Sequence, residues 1–128
     1  MNQHIGQITL VVRDYDEAIR FYTETLNFRL LEDTAISETK RWVVVGPEGN
    51  GCRLLLAKAA SDEQAAAIGN QTGGRVFLFL YTDDFTASYQ NLLNKGVTII
   101  RQPSVESYGT VAVFADLYGN LWDLIGTA

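Results

Sequence analysis

The stretch that decides the fold is QITLVVRDYDEAIRFYTETLNFRLL, from Gln7 to Leu31. It begins with residues of alternating character, continues through Asp14 and Asp16, and then carries apolar residues at steps of three and four. Alternation is typical of a strand, and acidic residues favour the start of a helix because they accept its unpaired backbone N–H groups. The stretch therefore predicts a strand, a helix and a second strand in succession.

A weaker copy of this stretch, FLFLYTDDFTASYQNLLNKGVTII, lies at Phe77–Ile100. When Asn27 is superimposed on Gly96, Asp14 falls on Asp83. The chain is therefore predicted to use one βαβββ module twice, and neither copy alone has enough layers to bury both faces of its sheet. The strands are predicted at 5–12, 28–32, 41–45, 53–57, 75–81, 97–101, 110–114 and 121–125, with helices from Asp14, from Ser61 and over 84–94.

The predicted fold class is α+β, as a single domain over residues 1–128. Module one spans about 5–58, a linker about 59–74 and module two about 75–126. We expect the modules to form a curved, mostly antiparallel eight-stranded sheet with a concave cavity and helices on the convex side. Side chains on the concave side mix polar, charged and aromatic types, as in a ligand cavity.

Composition excludes several classes of function. The net charge is −5 and no stripe of Lys and Arg is present, so we expect no nucleic-acid partner; the acidity mildly favours a neutral or cationic ligand. Cys52 is the only cysteine, which excludes an internal disulfide and thiolate metal clusters. The N-terminus does not resemble a signal peptide, and no apolar run reaches the ~20 residues that span a bilayer. We therefore expect a cytoplasmic protein without a membrane partner.

Two motifs, LVVRDYDEAIRFYTETLNF and GTVAVFADLYGNLWDLI, resemble the vicinal-oxygen-chelate superfamily, which includes glyoxalases, bleomycin-resistance proteins and extradiol dioxygenases. The resemblance runs from the first strand to the last and implies this superfamily's fold. In metal-dependent members, four side chains hold a divalent ion that polarises the substrate. The resemblance places those four positions on Gln7, Leu55, Phe77 and Asp123. Of these only Asp123 is a good ligand, so we expect no divalent metal and no other cofactor.

Asp123 is the candidate catalytic residue, as a general base whose pKa is raised by burial. The alternative is a structural acid held by Arg75, by Arg41 or by a backbone donor. Arg41 could clamp an anion, and Trp42 could stack on a flat ring; equally, Arg41 could cover the sheet edge and Trp42 could belong to the core. The predicted ligand-binding residues are Gln7, Thr9, Arg41, Trp42, Leu55, Gln71, Arg75, Phe77, Tyr108 and Asp123.

Three functions are consistent with these residues. The first is a metal-independent protein of the bleomycin-resistance type that binds a small organic molecule in the cup. The second is a lyase or isomerase of glyoxalase type that uses Asp123 as base, with an arginine at the developing oxyanion. The third is a domain used only for assembly or regulation. The resemblance also implies a homodimer.

Overall fold

The computed structural model describes residues 1–49 and 51–127 of the chain. The chain divides into two compact units, Met1–Ile68 and a second unit that begins at Gly69. Each unit contains one copy of the duplicated stretch. No helix in the described residues is both long and apolar enough to cross a membrane.

The first unit places four strands and two helices in the order strand, helix, three strands, helix. Its elements are β1 (Gln7–Val12), α1 (Tyr15–Arg20) with a π-helical segment (Phe21–Thr25), β2 (Arg29–Ala35), β3 (Arg41–Gly46), β4 (Arg53–Lys58) and α2 (Asp62–Ala67). The sheet order is β1-β4-β3-β2, in which only β1 and β4 are parallel. Helix α1 contacts β3 and β4, and α2 contacts β1 although it lies in the predicted linker.

The second unit repeats this arrangement without the extra helix. Its elements are β5 (Leu78–Thr82), α3 (Phe85–Asn94), β6 (Thr98–Glu106), β7 (Gly109–Ala115) and β8 (Leu121–Gly126). The sheet order is β5-β8-β7-β6, again with one parallel pair, β5 and β8. The last strand of each unit therefore returns to lie beside the first.

The predicted α+β class and the repeated βαβββ modules are confirmed. The eight predicted strands form two four-stranded sheets instead of one eight-stranded sheet. Strand β6 runs on to Glu106, five residues beyond its predicted end at Arg101, and includes Pro103. Proline is tolerated because β6 is an edge strand, and its pairing with β7 shifts register between Arg101 and Ser104.

The superposition of Asp14 on Asp83 is wrong, because the two helical segments differ in length by one residue. The structural counterpart of Asp14 is Asp84. The capping residues are Asp14, which accepts from Glu17 N at 2.9 Å, and Asp84, which accepts from Ala87 N at 3.1 Å. The segments end at Asn27 (φ 61°) and Gly96 (φ 72°), so the first is one residue longer. The π-helical segment absorbs that residue, because a π-turn inserts one residue without breaking the helix.

The apolar core of each unit lies between its sheet and its helices. In the first unit it is formed chiefly by Leu10, Val12, Ala18, Tyr22, Val43, Val45, Leu54 and Leu56, and in the second by Leu92, Ala112, Phe114, Trp122 and Leu124. Fully burying one such large side chain contributes about 1.5–3 kcal/mol. Strand β2, by contrast, is exposed along its whole length.

Candidate functional site

Strands β3 and β4 part from each other near one end of the first sheet. They pair only through Val43–Val45 with Leu54–Leu56, although β3 continues to pair with β2 as far as Arg41 and β4 with β1 as far as Lys58. Continued pairing would join Trp42 to Ala57 and Arg41 to Lys58. Because these positions stay apart while both strands continue, a cleft opens within the sheet.

The matching strands of the second unit do not part. Strands β7 and β8 pair from Thr110 with Gly126 to Ala115 with Leu121 without interruption. Compared with β7 and β8, strands β3 and β4 lack three residue pairs. Two of the missing pairs are at the cleft, and the third is at the opposite end of the strands, beside the loop that follows Gly46. The cleft is therefore a departure of the first module from the internal symmetry of the chain.

The side of the cleft formed by β3 is held by α1. The Arg41 backbone N–H donates to the Tyr15 hydroxyl at 3.2 Å, and the guanidinium lies 5.2 Å from the centroid of the same ring. The guanidinium also binds both carboxylate oxygens of Asp33 at 3.1 and 2.6 Å and one of Asp16 at 2.9 Å. These contacts raise the pKa of Arg41 above its ordinary value, so it stays charged. Arg41 is thus engaged by two acids instead of offering an open clamp.

The residues that follow the two capping aspartates differ between the units. Tyr15 follows Asp14, whereas Phe85, which has no hydroxyl, follows Asp84. A Cβ on Gly126 would lie only 2.6 Å from the Phe85 Cβ, so the close approach of Phe85 to β8 requires glycine there. The register places Lys58 at the position that matches Gly126, and its side chain excludes a ring placed like that of Phe85.

The residues after β4 satisfy their own backbone groups on the other side of the cleft. The Ala59 N–H donates to Val12 O at 2.9 Å, and the Ala60 N–H donates to Gln64 Oε1 at 2.8 Å. Gln64 is held in turn by the Ser61 cap, whose hydroxyl accepts from the Gln64 N–H at 3.1 Å. The backbone N–H groups of Ala59 and Ala60 are therefore satisfied within the chain beside the cleft.

The cleft continues into a cavity of about 510 Å³, within the range typical of small-molecule sites. Its apolar wall consists of Trp42, Leu55, Leu56, Ala57, Ala59 and Ala60. The polar part of its wall consists of Thr9, Tyr15, Thr39, Lys40, Lys58 and Gln64, together with Arg41. Trp42 remains 38% exposed, so much of its surface is available for contact.

Four predicted ligand-binding residues, Thr9, Arg41, Trp42 and Leu55, line this cavity together. Gln7 instead lines an opening of about 770 Å³ along the N-terminal segment, where much of the wall is glycine. Arg75 lines a small cavity of about 180 Å³ in the second unit.

Three more predicted ligand-binding residues lie outside the cavity of the first unit. Gln71 lies in the loop before β5, Phe77 is half-buried just before that strand, and Tyr108 is 61% exposed in the turn between β6 and β7.

Asp123 lies on β8 in a row that crosses the second sheet. It pairs with Phe79 of β5 on one side and Val113 of β7 on the other, and Val113 pairs with Arg101 of β6. Burial raises the pKa of Asp123, and the positive charge of Arg101 opposes that rise. Asp123 Oδ1 is buried and accepts no hydrogen bond within the described residues. The arginine that acts on Asp123 is therefore Arg101, not Arg75 or Arg41.

The four positions at which the resemblance implies metal ligands do not fit a divalent ion. Leu55 and Phe77 have no donor atoms, which leaves the Gln7 amide and the Asp123 carboxylate. Across residues 1–49 and 51–127, no three His, Cys, Asp or Glu side chains are grouped closely enough to hold a metal ion. The donor set therefore supports no step that depends on such an ion.

Sequence reasoning missed most of the polar wall of the cavity, including Tyr15, Lys40, Lys58 and Gln64. Tyr15 fits the apolar stripe of the helix that begins after Asp14, and Gln64 lies in the helix predicted from Ser61, so neither residue stands out in the sequence. Tyr15 stands opposite Phe85 only when the two copies are aligned on their capping residues, Asp14 and Asp84, and not in the sequence superposition that places Asp14 on Asp83.

Residues 4–124 match the sequence family described as the Glyoxalase/Bleomycin resistance protein/Dioxygenase superfamily. An uncharacterized protein from Shewanella frigidimarina is 59% identical over 127 residues, which is 98% of this chain and 94% of that protein.

Two solved structures extend this similarity to the fold. UcmS2 has a TM-score of 0.85 at 31% identity, covering 99% of this chain and 100% of that one. TnmS3, an antibiotic binding protein from Streptomyces sp. CB03234, has a TM-score of 0.80 at 29% identity, covering 99% and 98%. The similarity therefore extends over nearly the whole of each chain.

Proposed function

Because this chain belongs to the Glyoxalase/Bleomycin resistance protein/Dioxygenase superfamily, we propose that it binds a small organic molecule in the cavity of its first module. The observation that carries the proposal is the parting of β3 and β4, which opens about 510 Å³ beside apolar side chains. A protein that needed only a folded sheet gains nothing from leaving two ladder positions unpaired. The description of TnmS3 as an antibiotic binding protein supports this class of function.

The proposed binding does not use a divalent metal ion. Support comes from the donor set, since Leu55 and Phe77 stand where metal-dependent relatives carry ligands. Binding energy would come from contact with Trp42 and the aliphatic wall, as in most small-molecule sites. The proposed location is the cytoplasm.

A thermal-shift screen against small aromatic compounds and antibiotics, run in EDTA, tests the proposal. We expect hits that persist in EDTA and are lost in Trp42→Ala but kept in Tyr81→Ala, a control on an aromatic residue that is 73% exposed in the second unit. Hits that require added metal, or that survive Trp42→Ala, contradict it. No hit at all favours a domain used only for assembly or regulation.

A lyase or isomerase of glyoxalase type is the second candidate function. It is favoured by the raised pKa of Asp123, whose buried oxygen has no hydrogen-bond donor among the described residues. A carboxylate in such surroundings is suited to accept a proton from a substrate, and Arg101 supplies a nearby positive charge. Turnover of the methylglyoxal–glutathione adduct that disappears in Asp123→Asn supports this candidate; lack of turnover by the unaltered protein argues against it.

The proposal includes a homodimer. Seven consecutive exposed residues form the edge strand β2, and Leu30 and Leu31 are 44% and 41% exposed. An exposed edge strand that carries two leucines is a surface that another chain can cover.

A further inference from the structure

The charge of the cavity wall differs in sign from that of the chain. The chain carries a net charge of −5, yet the wall contains Lys40, Arg41 and Lys58 and no Asp or Glu. An anion bound at this wall is therefore attracted by nearby cations, and because Lys40 and Lys58 are exposed, salt screens part of that attraction.

Arg41 does not supply the unsatisfied part of this charge, because Asp33 and Asp16 already neutralise it. Lys40 and Lys58 make no ion pair with any residue in the described parts of the chain. Two exposed lysines without a carboxylate partner among the described residues thus line one cavity.

Gln64 adds a third donor. Its Oε1 accepts from the Ala60 N–H at 2.8 Å, which fixes the orientation of the amide because a backbone N–H requires an acceptor. The amide nitrogen is therefore left to donate. The side-chain groups available at the wall are chiefly donors, which suits a ligand that brings acceptor oxygens.

The apolar part of the wall defines the rest of the ligand. Trp42 offers an exposed indole, and the aliphatic side chains of Leu55 and Ala57 stand at the parted strands. A flat ring can contact these surfaces while an acidic substituent reaches the lysines.

We propose that the cleft of the first module recognises an aromatic carboxylic acid, with its ring against Trp42 and its carboxylate at Lys40 and Lys58. This inference rests on the proposed function and adds the charge class of the ligand. It replaces the neutral or cationic ligand that the net charge of the chain suggested.

Isothermal titration with three naphthalenes of one ring size tests the inference: 2-naphthoate, neutral 2-naphthamide and cationic 2-naphthylmethylamine. We expect 2-naphthoate to bind about tenfold more tightly than the amide, the size expected for hydrogen bonds to charged groups. The preference should weaken as salt is raised. It should be lost in Lys40→Ala/Lys58→Ala and kept in Lys95→Ala, an exposed lysine of the second unit.

The outcomes separate the two claims. If the amide or the amine binds as tightly as the acid, or if the double lysine variant keeps the preference, the charge class is wrong while small-molecule binding stands. If none of the three binds and the thermal-shift screen also gives no hit, both claims fail.

Discussion

The Tyr15 hydroxyl is the smallest feature that distinguishes the two modules. It accepts the Arg41 N–H at 3.2 Å, and Phe85 occupies the matching position without a hydroxyl. One oxygen atom thus gives the end of β3 a partner on α1. The sequence of either copy does not predict this hydrogen bond, because Tyr and Phe fit equally well in the apolar stripe of a helix.

Tyr15→Phe is expected to lower the free energy of unfolding by about 1 kcal/mol, because the Arg41 N–H loses its acceptor in a partly buried site. Urea denaturation measures the change. Tyr81→Phe, at an exposed ring in the second unit, is the matched control and should change stability little. Equal effects of the two substitutions would show that the Tyr15 contact contributes nothing.

Asp123 gives the protein a pH dependence whose sign follows from its surroundings. Burial raises its folded-state pKa above the ordinary 3.8, so the folded state holds the proton more tightly than the unfolded state. Stability contributed by this group is therefore lost as the pH rises from about 3.8 through the folded-state pKa. Asp123→Asn does not ionise, so its stability relative to the unaltered protein should increase over that window.

Urea unfolding at a series of pH values measures this difference between the two proteins. Arg101→Gln should extend the upper end of this pH window, because Arg101 lowers the folded-state pKa of Asp123. A stability difference that is constant from acid to neutral pH contradicts the assignment.

At the scale of elements, sequence patterns predicted which segments become strands and helices but not how far neighbouring strands pair. The aspartates at the helix starts and the alternating strands could be predicted from sequence, because local backbone chemistry specifies them. The parting of β3 and β4 could not be predicted, since both strands keep a normal strand pattern. The π-helical segment was hidden for a similar reason, since one extra residue between Asp14 and Asn27 leaves the apolar periodicity almost unchanged.

Transferring the second module's residues into the first should close the cleft. In Tyr15→Phe/Lys58→Gly, the ring can approach β4 as Phe85 approaches β8, and β3 loses its tie to α1. We expect slower hydrogen exchange of the Arg41 and Lys58 backbone amides, because closing the cleft would join these two residues by ladder hydrogen bonds, whereas the Ala57 and Ala59 amides already face β1. The reciprocal variant Phe85→Tyr, which retains Gly126, should leave exchange in β7 and β8 unchanged. If exchange at Arg41 and Lys58 does not slow, Tyr15 and Lys58 do not cause the parting.

At the scale of the whole molecule, the duplication and the family could be predicted from sequence, whereas the site could not be located among ten candidates. Only Thr9, Arg41, Trp42 and Leu55 of those candidates meet at the cavity. The net charge of the chain favoured a neutral or cationic ligand, whereas the residues of the cavity wall, Lys40, Arg41 and Lys58, are the basis for proposing an acid.

The oligomeric state is a separate property of the whole molecule. We expect light scattering after size exclusion to give twice the chain mass of 14.2 kDa. Leu30→Glu/Leu31→Glu on β2 should shift the protein toward the monomer, because two charges at an apolar interface are costly to desolvate. Ile100→Glu, at an exposed position of β6, is the comparison. A single-chain mass for the unaltered protein contradicts the dimer.

The central claim, metal-independent binding at the first module, can be tested on two NMR signals, because the chain has only two tryptophans. Trp42 lines the cavity, whereas the Trp122 indole N–H donates to Asp116 at 3.1 Å in the core of the second unit. With EDTA present, 2-naphthoate should shift the Trp42 indole signal in a saturable way and leave the Trp122 signal in place. A Trp42 signal that stays fixed at saturating ligand, or that moves only after a divalent metal is added, contradicts the account.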